Sequence, residues 1–409
     1  MSSSSHDTYS PVLVSRYCRN SPLLKIFSSR HKTELWRQLW IWLAEAELEL
    51  GLPQVTQEAI DELQANKTNI DWQAIAENEK RLKHDVMAHN HAYGKICPKA
   101  AGIIHLGATS CYVQDNSDLI VQREALNFTL KRLAICLKRL AEFADRHKND
   151  VTVGRTHYQP ASLVTVGKRA VLWAQELLMV LGSAVNKICM DIRLLQMNEE
   201  LFEPFEKDQI GSSAMPFKRN PMKTERINSL ARKLMNAVNE GLQTLATQGF
   251  ERTLDDSAIR RINIPDSFFT TEAILLTLQN VFEGMQLNEA TSMRNVQKEL
   301  PFLALEKTLM FLTEQGVSRQ EAHEKIREVS LKGQEQKCSG EEISFAKMLE
   351  DPFFNKVREE SLRYIADPLN FTGRCRTQVD RFLKEELHPK IDSYLKESEM
   401  VNTKVQLDV

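Results

Sequence analysis

The 409-residue chain is poor in helix breakers, with 15 glycines and 13 prolines, and no stretch reads as strand-rich, repetitive or low in complexity. It lacks an apolar run long enough for a signal or a membrane span. Its polar opening, MSSSSHDTYS, predicts a frayed tail on a soluble, cytoplasmic protein. The seven cysteines (Cys18, Cys97, Cys111, Cys136, Cys189, Cys338, Cys375) are odd in number, scattered and never spaced C-x-x-C. That pattern argues against a disulfide framework or a zinc ribbon and fits a reducing compartment. Neither charge is in excess: 53 Lys plus Arg against 55 Asp plus Glu leave a net −2. Nothing long-range therefore draws the chain to nucleic acid or an anionic membrane, and any anion site must be local. G-x-x-x-x-G-K-[ST], G-x-G-x-x-G and H-E-x-x-H are absent, so a nucleotide hydrolase, a dinucleotide enzyme and a zinc protease lose their usual support.

What is present is apolar periodicity in a sequence that is 42% apolar. Trp36, Leu39, Trp40 and Leu43 stand at helical spacing within 31–50, and Gly51-Leu52-Pro53 ends that helix. A second helix is expected over 71–93, followed by the tight connection AAGIIHLGATS. From 116 to 147, Leu119, Leu126, Leu130, Leu133, Leu137, Leu140 and Ala144 predict a long bundle helix. After THYQP, in a loop before the next helix, a stripe runs Leu163, Val166, Ala170, Trp173, Leu177, Val180. It restarts one residue late as Leu181, Val185, Ile188, Ile192, Leu195, with Gly182-Ser183 at the break. A one-residue jump turns the face by about 100°, so 161–197 is either two helices with a turn or one strained helix. Residues 224–248 predict a third long helix and 270–284 a fourth, buried one; shorter helices are expected beyond Pro301. Ser318-Arg-Gln-Glu321 and Ser339-Gly-Glu-Glu342 spell capping boxes, each opening a short helix. The predicted fold class is all-α, with an N-terminal helical domain (1–109), a central long-helix bundle (110–298) and a C-terminal helical domain (299–409).

Three stretches carry chemistry. GSSAMPFKRNP at 211–221 sets two serines beside Lys218 and Arg219, where positive charge can activate a hydroxyl, and Gly211 lets the loop close on a ligand. His157, in RTHYQP, suits a general acid near neutral pH. In ERTLDDSAIRR, Arg252, Arg260 and Arg261 with Ser257 suit carboxylates and phosphates, or else form a basic helix face paired with Asp255 and Asp256. His84, His89 and His91 are spaced five and two apart and complete no metal shell. His84 beside Lys83 and Asp85 reads better as a polar helix end, and no metal is expected.

Together these stretches resemble the fumarase/aspartase superfamily, whose loop G-S-S-x-M-P-x-K-x-N-P is matched at Gly211, Ser212, Ser213, Met215, Pro216, Lys218, Asn220 and Pro221. Within it, SRY at 15–17, KRLKHDVMAH at 80–89, AAGIIHLGATSCYV at 100–113, THYQPA at 156–161 and FERTLDDSA at 250–258 resemble the adenylosuccinate lyases of animal type, over nearly the whole chain. The resemblance implies β-elimination of fumarate from adenylosuccinate, giving AMP, and from the succinylcarboxamide ribotide of purine synthesis. It also implies no cofactor, a small-molecule substrate and a homotetramer with shared active sites.

By similarity Ser212 is the base, with Ser213 the alternative, and His157 the acid. Lys218, Thr109 and Ser110 would hold the succinyl part, and His84 and Asp85 would assist around His157. Arg16, Tyr17, Arg226, Arg252, Ser257 and Arg261 would hold phosphate and carboxylates, Glu225 would orient neighbours, and Lys83 and Thr156 would flank the substrate. Another superfamily lyase, such as argininosuccinate lyase, or a shortened chain that only joins full-length subunits, is the alternative. Family members carry several dozen more residues before KICMDIRLL, including a glutamine expected to touch substrate. The missing block would fall at Leu181-Gly182-Ser183, where the heptad phase breaks.

Overall fold

A computed structural model describes residues 7–215, 217–396 and 398–407; most of the expected frayed tail, and Pro216 of the serine loop, lie outside the described residues. Helices of eight or more residues are α1 (Ser29–Glu49), α2 (Gln57–Ala65), α3 (Trp72–Leu82), α4 (Asp85–Ile96), α5 (Ser110–Arg146), α6 (Val166–Met179), α7 (Leu181–Met197) and α8 (Met222–Ala246). They continue with α9 (Asp255–Gly284), α10 (Glu289–Glu314), α11 (Arg319–Cys338), α12 (Arg358–Ile365) and α13 (His388–Lys396). Strand among the described residues is confined to two antiparallel pairs, β1 (Val151–Thr156) with β2 (Gln159–Thr165) and β3 (Leu201–Phe202) with β4 (Gln286–Leu287). The chain divides into two compact units, Met1–Leu130 with Glu240–Glu272, and Lys131–Asn239 with Ala273–Asp408.

In the first unit, Trp36, Trp40 and Ile41 of α1 pack with Ile60 and Leu63 of α2 and Val86 and Tyr93 of α4. The buried Arg37 guanidinium is matched by three carbonyls, of Asn66, Lys67 and Asn69 (2.8, 3.1 and 2.8 Å), and lies over the Tyr93 ring. The single helix expected over 71–93 is two helices. Lys83 takes a left-handed conformation (φ +57°) that stops α3, and the His84 ring caps α4 by accepting the Met87 N–H at 3.4 Å.

In the second unit the alternatives left open for 161–197 resolve into two helices. Val180, in extended conformation, separates α6 from α7. Trp173 Nε1 donates to Asp191 at 2.8 Å and Lys187 pairs with Glu176 at 3.3 Å, so residues further along one helix meet residues earlier in the other, as in an antiparallel hairpin. Their apolar faces (Ala170, Trp173, Leu177; Val185, Ile188, Ile192) share a core with Leu137 and Leu140 of α5, Ile227 and Ala231 of α8, and Ile274 and Leu278 of α9.

Other expectations need correction. The stretch before α6 is a β-hairpin rather than a loop. The helices do shorten beyond Pro301, but not at it, because α10 runs through that residue; a proline forfeits one backbone bond without ending a helix that packing holds together. Ser318 caps α11 through the Glu321 N–H (3.2 Å), but Ser339 closes that helix rather than opening another, and Ser344 caps the next turn.

Candidate active site

His157 sits at the tip of the β1–β2 hairpin. Thr156 pairs with Gln159, and the two residues between them, His157 and Tyr158, both have positive φ (+52° and +61°). Primed two-residue turns match strand twist but normally recruit Asn or Gly, so holding His and Tyr there stores local strain of the kind found at working sites. The hairpin base supplies the compensation. Val151, Val153 and Leu163 are buried against Val296 and Leu300 of α10, and Ser292 donates to the Val151 carbonyl at 3.1 Å. Arg155 pairs with the buried Glu200 at 2.7 Å, and Arg169 donates to the Val153 carbonyl at 2.9 Å. The exposed His157 imidazole makes no hydrogen bond among the described residues, which leaves both ring nitrogens for a substrate. Thr156 is exposed beside it.

The serine loop is closed by its own ends. Asn220 Nδ2 donates to the Gly211 carbonyl at 2.8 Å, and a side chain at Gly211 would collide with the Lys218 carbonyl. Ser212 Oγ accepts the Met215 N–H at 3.2 Å, whereas Ser213 and Lys218 are exposed. Outside the loop, Gln196 donates to the Arg219 carbonyl at 3.0 Å. The buried Glu203 carboxylate takes the backbone N–H groups of Lys223 and Thr224 and the Thr224 hydroxyl, each at 3.0 Å. A carboxylate at a helix N-terminus is favoured, so Glu203 fixes the start of α8 directly after the loop. Burial nonetheless pushes its pKa up, against those hydrogen bonds. Glu225 is exposed and Arg226 half-buried in the first turn of α8. Glu203 and Gln196 escaped the sequence reading because no local spelling marks a side chain that reaches a helix start about 20 residues on.

The first unit gathers a second set. His84 Nε2 lies 3.3 Å from Ser110 Oγ, and its Nδ1 accepts the Met87 N–H. Asp85 Oδ2 accepts from Arg261 at 2.6 Å and Oδ1 from the Val86 N–H at 2.8 Å. Burial opposes its charge, but Arg261, that N–H and Lys32 outweigh it and hold the carboxyl below its ordinary value. Arg252 grips Asp115 with both guanidinium nitrogens and also Asp256, while Arg260 meets Asp115 and Asp118. The arginines are thus aspartate-paired, with Arg252 and Arg261 still exposed at their edges. Lys32, Asp115 and Asp118 are members the sequence reading missed. Lys83, Thr109 and Arg16 are exposed, Tyr17 and Ser257 half-buried.

The structure therefore brings together His84, Asp85, Ser110 and Arg261 in one unit, and binds Ser212, Lys218 and Gly211 into one loop of the other. Ser212 and His157 share no hydrogen bond within the single chain. Among the described residues no group of three His, Cys, Asp or Glu side chains could hold a metal ion, and no helix is long and apolar enough to cross a membrane.

Comparison with known proteins supplies the family. A model described as Lyase matches residues 177–236, and one described as Adenylosuccinate lyase C-terminus matches residues 301–382. Among solved structures, a fumarate lyase from Mesorhizobium (TM-score 0.79, 19% identity, 93% of this chain and 100% of that one) shares the fold. So does a 3-carboxy-cis,cis-muconate lactonizing enzyme from Pseudomonas putida (TM-score 0.77, 22% identity, 94% and 100%). The adenylosuccinate lyase of Saccharomyces cerevisiae is 37% identical over 96% of this chain and 97% of its own length. That of Caenorhabditis briggsae is 49% identical over 98% and 99%. The latter alignment spans 478 positions against a chain of 409 residues, so at least 69 positions have no residue here. With kinship spread over nearly its whole length and an all-α fold of the fumarase/aspartase type, the chain belongs to the adenylosuccinate lyase family.

Proposed function

We propose that the chain is a carbon–nitrogen lyase that eliminates fumarate from adenylosuccinate, giving AMP, and from the succinylcarboxamide ribotide, giving its aminoimidazole product. The observation that carries this reading is the 49% identity to an adenylosuccinate lyase across nearly the whole of both chains. Ser212 removes the Cβ proton, the C–H pair becomes the new double bond, the C–N bond breaks, and His157 gives its proton to the departing nitrogen. Only a proton and an electron pair move, so the step calls for no redox group. Charge developing on the succinyl carboxylate is met by Lys218, and Thr109 and Ser110 hold the same part of the substrate. His84 and Asp85 act around His157, while Arg16, Tyr17, Lys83, Arg226, Arg252, Ser257 and Arg261 hold the remaining anionic groups. Ser213 lies exposed beside Ser212 and remains the substitute base.

The working form is a homotetramer in which copies share sites. The long helices of residues 110–298, shortened near 181–183, form the bundle between an N-terminal part (1–109) and a C-terminal part (299–409). Support comes from apolar side chains exposed in the single chain, Leu119, Leu126 and Leu130 on α5 and Val238, Leu242 and Leu245 on α8. Seven free thiols fit a reducing cytoplasm. The test is incubation of the purified chain with adenylosuccinate and, separately, argininosuccinate, with fumarate read by ultraviolet absorbance. Release from adenylosuccinate alone is expected; selective turnover of argininosuccinate would reject the assignment.

A further inference from the structure

The α6–α7 hairpin and the β1–β2 hairpin enclose a cleft of about 550 Å³ within the second unit. Its size falls within the range of small-molecule sites, and its lining has their usual make-up of apolar wall and a few placed charges. Leu172 and Trp173 of α6 and Leu194 of α7 contribute to the apolar wall, and Arg155, Lys168, Arg169 and Lys187 contribute the cations. Asp191 is the one acid among the described residues of the lining.

The cations differ in availability. Arg155 is paired with Glu200, Lys187 with Glu176 and Asp191, and the Arg169 guanidinium donates to the Val153 carbonyl. The half-buried Lys168 ammonium makes no hydrogen bond or ion pair among the described residues. A lysine so placed is a compact point charge in a cleft that also has apolar lining. The walls themselves depend on the turn between the helices: α7 turns back at Val180, and the pairs between Trp173 and Asp191 and between Lys187 and Glu176 tie it to α6.

We propose that this cleft is a binding site for a ring-bearing phosphate monoester, with Lys168 as its cation and Leu172 and Leu194 as the open wall for the ring, backed by the buried Trp173. The phosphate meets Lys168, the lining cation whose side chain has neither a hydrogen bond nor an ion pair among the described residues, and the ring displaces water from the open surface of Leu172 and Leu194. His157 and Tyr158 also line the cleft, so an occupant lies within reach of the hairpin tip. The binding itself does not rest on the lyase reading.

Trp173 supplies a built-in reporter, since it lines the cleft and the other tryptophans, Trp36, Trp40, Trp42 and Trp72, belong to the first unit. The experiment is a titration of the purified full chain with AMP, read by tryptophan emission excited at the red edge of the band, with adenosine and inorganic phosphate as separate arms. AMP is expected to quench Trp173 emission, with each half of the molecule about tenfold weaker or more, because each alone loses one of the two contacts. Trp173→Phe should abolish the response. Lys168→Met should weaken AMP about tenfold, the effect of losing one charge-assisted contact. Leu172→Glu, at a position partly open to solvent, offers a second variant that keeps the cation and sets a repelling charge on the wall; it too should weaken AMP. Full quenching in Trp173→Phe, or unchanged AMP affinity in both Lys168→Met and Leu172→Glu, would overturn the site. Turnover is not part of the readout: a chain that cleaves adenylosuccinate without a Trp173 response loses this inference alone, and an inactive chain with the response keeps it.

Discussion

Trp173 donates its indole N–H to the Asp191 carboxylate at 2.8 Å, and this bond ties together the two helices that meet at Val180. The indole ring is buried, so its N–H has no ready water to replace a lost acceptor. Asp191→Ala should cost about 1–3 kcal/mol, the penalty of a buried donor left unmade, because Lys187 keeps Glu176 as its other partner. Asp191→Asn, which retains a carbonyl oxygen, should cost less. Urea unfolding of the three proteins measures this, and equal midpoints for wild type and Asp191→Ala would show that the hairpin is held by apolar packing alone.

Ser212 and Ser213 are separable by mutation because the loop holds them differently. Ser212 Oγ already accepts the Met215 N–H, which fixes the hydroxyl in place, whereas Ser213 is exposed. Ser212→Ala should lower kcat about 10²–10⁴-fold, the usual contribution of a positioned acid or base, with little change in KM. His157→Gln should fall in the same range, and Ser213→Ala should stay within about tenfold of wild type. The opposite ranking of the two serines in a fumarate-release assay would transfer the role of base to Ser213.

The break within 161–197 was legible in the sequence because helical phase is a counting property: a stripe that restarts one residue late cannot stay on one straight face, and the chain does break, at Val180 rather than at Gly182-Ser183. The all-α class and the long helices were legible for the same reason. The β1–β2 hairpin was not, because residues 151–154 are all buried and show no alternation, and its turn uses His157-Tyr158 where a sequence reader looks for Asn-Gly. The break at Lys83 was hidden likewise by a left-handed lysine. Of the site, the spelling marked the serine loop, but not the Asn220 bond that closes it on Gly211, and the Glu203 anchor and the aspartate partners of the arginines depend on chain reversals that no local pattern encodes.

His89 makes stability depend on pH. Burial beside Trp36 disfavours its charged form, Arg37 and Lys32 add repulsion, and Asp85 only partly offsets them, so its pKa falls from 6.5 to about 4. A folded-state pKa below the unfolded one means that the unfolded chain binds the proton more tightly. The stabilisation is therefore complete above pH 6.5 and is lost as pH falls toward 4, by roughly 3 kcal/mol in all. His89→Gln should flatten that part of the profile in denaturant unfolding between pH 7.5 and 4.5. An unchanged slope in the variant would assign the acid sensitivity to other groups.

Met235, Val238, Leu242 and Leu245 recur at steps of three, four and three along α8, and the last three are 63%, 60% and 74% exposed. The proposed assembly would cover this stripe, and leaving it in water forgoes about 1.5–3 kcal/mol for each large side chain that could be fully covered. Gly182 of α7 lies against Met235, where a β-carbon would stand 2.8 Å from Met235 Cγ, so that end of the stripe is already in contact and the rest is available to another copy. Val238→Glu with Leu242→Glu should therefore leave the helices intact by circular dichroism while lowering the molar mass in solution. If sites are shared between copies, fumarate release should disappear along with the assembly. A wild-type chain that is monomeric by light scattering and still turns over adenylosuccinate would refute the shared-site arrangement, since Ser212 and His157 would then have to act within one chain.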